Sequence, residues 1–165
     1  MLKMWGILNG CCKFTESMFD SKKDIILNDR AYEDIQIGET VSFDRFVDEE
    51  AVERFAELSG DYNPLHVDAR YAEHTEFGGP IVHGMLLASF FSTLVGMLCP
   101  GKRALYLGQE LTFRNPLPVN SNVRITGTVE RKSDATKIIW LKTTVITDKG
   151  MVVVDGTAQV KVREG

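Results

Sequence analysis

Apolar and polar residues alternate most clearly in the C-terminal half of the chain. Val123, Ile125, Gly127 and Val129 alternate with Arg124, Thr126, Thr128 and Glu130, the period-two mark of a strand with one wet face. Residues 151–162 repeat the pattern, with Val152, Val154, Gly156, Ala158, Val160 and Val162 set against Asp155, Thr157, Gln159 and Lys161. Residues 137–147 are rich in β-branched side chains and include Trp140, and Asp148-Lys149-Gly150 predicts a hairpin turn with glycine in a left-handed conformation. Residues 105–113 predict another strand. A shorter one is expected over 41–46, after Ile35, Ile37 and a turn at Gly38.

Two stretches carry helical patterns instead. Asp48 is a good N-cap because its carboxylate can accept an orphan backbone N–H, and Glu49 and Glu50 suit the positive end of the helix dipole. Val47 and Val52 fall at hydrophobic-staple positions. Val52, Phe55, Ala56 and Ser59 share a face, and Gly60 closes the helix as its C-cap. The second stretch, 84–98 (GMLLASFFSTLVGML), is apolar nearly all round and ends at Pro100-Gly101. It falls short of the ~20 residues needed to span a bilayer, so it predicts a buried helix. An antiparallel sheet curled around one apolar helix, an α+β arrangement, accommodates both patterns.

Composition narrows the function classes. The chain has 165 residues, 44% hydrophobic and 25% charged, which is ordinary for one globular domain. A net charge of −4 offers no electrostatic footprint for nucleic acid. The three cysteines, Cys11, Cys12 and Cys99, are odd in number with two adjacent, so a disulfide framework is not expected and a reducing compartment is. No Cys/His cluster has metal-ligand spacing, and no metal is expected.

Residues 1–31 read as an extension, poorly ordered or with a helix near Leu2–Cys12, before a single domain over 32–165. The apolar run from Met4 to Leu8 is too short for a secretory signal, and mixed charges do not make a mitochondrial presequence. The expected localisation is cytoplasmic, with an organelle left open.

The chemistry concentrates in Asp61-Tyr-Asn63-Pro64-Leu65-His66, just past the first helix. A carboxylate and an imidazole across a tight turn are what is needed to hold and activate a water. Taken singly, Asp61 and Asn63 are good turn residues and His66 an ordinary loop histidine. The glycine-led apolar helix downstream is what turns the pair toward a site.

The run Phe55-Ala-Glu-Leu58-Ser59-Gly60-Asp61-Tyr-Asn63-Pro64-Leu65-His66, followed by Ala72, resembles the hydratase motif of the MaoC-like (R)-specific enoyl-CoA hydratases. The likeness continues in Gly79-Pro80-Ile-Val-His83-Gly84-Met85-Leu86, in Tyr106-Leu-Gly108-Gln109 and in Phe113-Arg114-Asn-Pro116. It implies a hot-dog fold, a homodimer and hydration of an acyl-CoA thioester without a cofactor. Asp61 and His66 would hold the water and do the acid–base work. Asn63 would shape the loop and Pro64 fix it. The Gly84 N–H would meet the thioester oxygen at the start of the buried helix, with Ser92 approaching from later turns. A structural role beside the site is expected for His83 and a surface position for His74. Phe90, Phe91, Leu94 and Met97 are expected in the core or along an acyl slot. Lys102, Arg103 and Arg114 read either as contacts for coenzyme A phosphates or as solvated charges. The same residues would serve a dehydratase acting on acyl carrier protein; a hot-dog thioesterase and a non-catalytic thioester-binding module fit the motif less well.

Overall fold

A computed structural model describes residues 25–164; the helix expected near Leu2–Cys12 lies outside them. A 3-10 turn at Tyr32–Asp34 leads into β1 (Thr40–Val47), α1 (Glu49–Ser59), the short helices α2 (Pro64–Val67) and α3 (Ala69–Glu73), and α4 (Gly84–Thr93). Then follow β2 (Ala104–Phe113), β3 (Ser121–Ser133), β4 (Ile138–Thr147) and β5 (Val152–Val162). The strands form one five-stranded antiparallel sheet in the order β1-β3-β4-β5-β2.

The alternation along β3 sets its inner face: Val123, Ile125 and Val129 are buried. From β4, Ile139, Leu141, Thr143 and Val145 point the same way, while Trp140 on the outer side carries the Arg131 guanidinium 3.8 Å above its ring. The β4–β5 turn has Gly150 at φ 79°, the left-handed conformation expected of it.

The alternation of β5 breaks at Val153. Val145 pairs with Val154 and Ile146 with Val152, so Val153 is an extra residue in a bulge. It is buried while Val152 is only half-buried, which corrects the inward position expected for Val152. The bulge turns the Val153 carbonyl toward the chain leaving β2, where it accepts from the N–H groups of Arg114 (2.8 Å) and Asn115 (3.4 Å).

The central helix also differs from expectation. It is α-helical only to Thr93, and Leu94–Leu98 form a π turn closed by the Cys99 N–H on the Leu94 carbonyl at 3.0 Å. α4 lies against β4 and β5, and the π turn against β1, β2 and β3. Leu86, Leu87, Ala88, Phe91, Leu94 and Val95 are buried, but the stripe Met85, Ser89 and Ser92 is exposed in the single chain. Positions i, i+4 and i+7 share a helix face, and the sheet covers only the opposite one.

Residues 28–31, counted with the extension by sequence, are bonded to the globule. The Asn28 N–H donates to the Met97 carbonyl at 2.8 Å and its side-chain amide to the Leu98 carbonyl at 2.8 Å. Asp29 bridges with Gly101. Cys99 beneath this strap is fully buried, and burial pushes its thiol up to about 11, so it stays protonated at neutral pH. Among the described residues no helix is long and apolar enough to cross a membrane.

Candidate active site

The site loop is assembled by a succession of local caps. The Asp48 carboxylate accepts from the Ala51 N–H at 2.9 Å and starts α1, and Gly60 ends it at φ 78° with its N–H on the Ala56 carbonyl. Ser59 Oγ then accepts from the Asp61 N–H at 3.2 Å, and Asp61 Oδ1 from the Asn63 N–H at 3.2 Å. Asn63 Oδ1 accepts from the Leu65 N–H at 3.0 Å, capping α2, with Pro64 at its first position, where a missing N–H costs nothing. Asn63 and Pro64 thus hold the one-turn helix that carries His66.

His66 is tied to the segment leading into α4. Its Nδ1 lies 2.7 Å from the Ile81 carbonyl, and the Ile81 N–H donates to the Leu65 carbonyl at 3.1 Å. A carbonyl oxygen only accepts, so Nδ1 carries a proton, and in the neutral imidazole Nε2 is the nitrogen with the lone pair. His83 is 2% exposed and donates from Nε2 to the Asp61 carbonyl at 2.9 Å. Its ring stacks on that of His66, with centroids 3.8 Å apart and planes at 31°. Gly84 follows as the first residue of α4, and among the described residues no side chain caps that helix end. A Cβ at Gly84 would lie 2.8 Å from the Phe113 ring, so only glycine fits beneath that ring as it stands.

These residues open onto a cavity of about 380 Å³ lined by Asp61, His66, Gly84, Met85, Phe113 and Val153, among others. Arg114 also lines it, with Nε 3.1 Å from both carboxylate oxygens of Asp155. One donor atom from each of Asp61, His66 and His83 lies within 4.8 Å of the other two. A cation there would need a ring-nitrogen lone pair from His83, yet its Nε2 is spent as an N–H on a carbonyl. A carboxylate and one free imidazole nitrogen at such a spacing suit a water held by hydrogen bonds of ~2.8 Å on each side.

A family model described as a MaoC-like domain matches residues 34–151. The chain belongs to the MaoC-like domain family. Over 127 residues it is 41% identical to an (R)-specific enoyl-CoA hydratase of Aeromonas caviae, covering 77% of this chain and 95% of that protein. It is 39% identical over 142 residues to an (R)-specific enoyl-CoA hydratase of Rhodospirillum rubrum, covering 86% and 96%. Among solved structures, the R-hydratase PhaJ1 from Pseudomonas aeruginosa superposes with a TM-score of 0.80 at 31% identity, covering 85% of this chain and 89% of that one. The fold is therefore the hot-dog expected of MaoC-like chains.

Within this MaoC-like domain the sequence-predicted residues separate into two groups. Asp61, His66, Gly84 and the loop residues Asn63 and Pro64 come together. Ser92 does not join them: it is exposed, eight residues beyond Gly84, about 12 Å along the helix axis, and outside the cavity lining. Of the apolar stripe, Phe91 and Leu94 are buried in the core, Phe90 and Met97 half-buried, and none lines the cavity. Lys102 and Arg103 pair with Asp29 at 3.4 and 2.6 Å beyond the other end of α4, leaving Arg114 as the cavity's cation. His74 is exposed, as expected. Tyr106 and Gln109 also stay clear of the cavity. The Tyr106 hydroxyl, pushed up to about 12 by burial, donates to Gln109, whose amide reaches Thr143 Oγ1 at 3.0 Å.

Sequence reasoning missed the cavity walls at Phe113 and Val153. For Val153 there was a signal: three consecutive valines, 152–154, interrupt a period-two strand. For Phe113 the signals were its position at a strand end and its place in the Phe113-Arg114-Asn-Pro116 run of the resemblance.

Proposed function

We propose that this MaoC-like chain is an (R)-specific enoyl-CoA hydratase, a hydro-lyase that reversibly adds water to trans-2-enoyl-CoA and gives (R)-3-hydroxyacyl-CoA. The observation that carries the reading is the free Nε2 of His66 and the Asp61 carboxylate sharing one small cavity with Gly84. In this reading the pair holds a water, takes one proton from it as its oxygen bonds to the β-carbon, and returns a proton to the α-carbon. Water is consumed whole and no other reactant is needed. The Gly84 N–H, at the positive end of α4, receives the thioester oxygen as enolate-like charge builds there. Asn63 and Pro64 hold the loop, and thioester contact falls to Gly84 rather than Ser92. Arg114 at the cavity meets the charged end of the substrate.

A homodimer fits this reading. β2 is an edge strand with Leu105, Leu107 and Phe113 exposed, and such an edge is normally paired or covered. The A. caviae structure is described as an (R)-hydratase involved in PHA biosynthesis, and a like supply of (R)-3-hydroxyacyl-CoA is the role proposed here.

The test follows loss of enoyl-thioester absorbance with crotonyl-CoA and longer chains, with the product's configuration determined. Asp61→Asn and His66→Gln should each lower kcat by about 10²–10⁴-fold. Wild-type rates in both variants would sink the assignment. Release of free CoA would make the protein a thioesterase, and turnover only on acyl carrier protein would make it a carrier-dependent dehydratase.

A further inference from the structure

His83 is the most deeply buried titratable side chain near the site, and the chemistry above does not use it. Three contacts converge on it. Its Nε2 lies 2.9 Å from the Asp61 carbonyl and 4.0 Å from Asp61 Oδ2. One ring face stacks on His66 at 3.8 Å, and Phe55 packs against it at 5.1 Å. The next residue in the chain is Gly84. Among the described residues the Nδ1 of His83 is buried without a hydrogen-bond partner. A core position that needed only shape would be filled more favourably by an apolar ring, because a buried polar atom without a partner costs free energy. The nitrogen that is used, Nε2, reaches across 22 residues of chain to the backbone of Asp61.

The geometry assigns His83 as the positioning residue of the site. Its Nε2–H pins the Asp61 carbonyl, and its ring backs the His66 imidazole, so that carboxylate and free Nε2 address the same water. The two histidines are complementary tautomers, each fixed by a backbone carbonyl: Nδ1–H in His66 toward Ile81, Nε2–H in His83 toward Asp61. One buried side chain thereby joins the loop after α1, which carries the acid–base pair, to the first residue of α4, which receives the thioester oxygen. Groups that orient reacting side chains act on the chemical step, since small misplacements cost large factors in rate.

This inference rests on the hydratase reading, and its test separates the two. In full-length protein, His83→Phe keeps an apolar ring but loses the donor, whereas His83→Gln places an amide N–H near the Nε2 position. His83→Phe should lower kcat for crotonyl-CoA hydration about 10–100-fold. Its KM should stay within about twofold of wild type, because uniform binding is untouched. His83→Gln should recover most of that loss. Wild-type kcat in His83→Phe, or equal impairment of both variants together with a lowered Tm, would overturn the proposal in favour of plain packing. In the wild-type protein, long-range ¹H–¹⁵N imidazole spectra should show His66 as the Nδ1–H and His83 as the Nε2–H tautomer. A protonated Nδ1 on His83 overturns the proposal whatever the activity. Absence of hydration by wild type with both tautomers as stated would instead fail the hydratase reading.

Discussion

At its C-terminal end, α4 runs into a π turn whose carbonyls are taken up by the protein: Leu94 accepts from Cys99, Val95 from Gly101, Met97 from the Asn28 N–H and Leu98 from the Asn28 amide. The neighbouring charges are also paired, Asp29 with Lys102 and Arg103. At its N-terminal end no side chain among the described residues caps the helix, Gly84 lines a cavity, and the Asp61 carboxylate is 53% exposed. The same helix thus has one end closed by its own chain and one open to a cavity. Every helix leaves its terminal N–H and C=O groups without intrahelical partners. Satisfying them internally contributes stability, and leaving them at a cavity contributes a binding site.

The sharpest way to break this contrast is to make one substitution at both ends. Gly84→Ala puts a methyl 2.8 Å from two atoms of the Phe113 ring, which is half-exposed and can swing only by moving the cavity wall. Hydration kcat/KM should fall by about 100-fold, as expected for angstrom-scale misplacement, with little change in Tm. Gly96→Ala, in the π turn, meets nothing within 4 Å among the described residues. It should leave activity alone and raise stability by about 0.4–1 kcal/mol through the unfolded chain. Similar activities for the two variants would remove the distinction between the ends.

How legible each end was in the sequence follows from the same physics. The caps at Asp48, Gly60 and Asn63 are local chemistry, and α1, α2 and the Asp61 loop follow from neighbouring residues alone. The alternation of β3 is equally local. The joining of His83 to Asp61, and the packing of Phe113 over Gly84, depend on chain crossings of 22 and 29 residues that no periodicity encodes. The strap at Asn28–Arg30 was unreadable for a related reason. Its apolar content is slight, and its hold comes from backbone bonds and paired charges whose partners, Glu39 excepted, lie far along the chain. Ser92 is the converse case: its place on an apolar helix drew it toward the site, but it lies eight residues beyond Gly84, outside the cavity that Met85, on the same exposed stripe, helps to line.

A smaller effect is expected at the closed end itself. Asn28→Ala removes the amide donor to the Leu98 carbonyl and leaves that half-buried acceptor unpaired. The cost should be about 1–2 kcal/mol, a Tm decrease of ~2–8 °C for a chain of this size. Hydration kcat should match wild type. A fall in kcat greater than the fall in folded fraction would mean that the closed end is coupled to the open one.

The smallest effect concerns the clamp that holds the strap to the turn before β1. The Arg30 N–H donates to the Pro100 carbonyl, and the guanidinium binds the Glu39 carboxylate, with one contact at 3.1 Å. The hydrogen bond from Arg30 holds the Glu39 carboxyl below its ordinary 4.5, outweighing the opposing effect of burial. A carboxyl depressed in the folded state binds protons more readily when unfolded, so its contribution is complete above the unfolded value near 4.5. It declines as pH falls from there through the lower folded value. Glu39→Gln should therefore cost about 1 kcal/mol or less at pH 7, since both partners are partly exposed. The difference from wild type should shrink as pH drops below 4.5. Urea unfolding at pH 7 and below pH 4.5 measures it. A difference that stays constant between those conditions would show that the pair is not an ionic clamp, and that the strap is held by its other bonds.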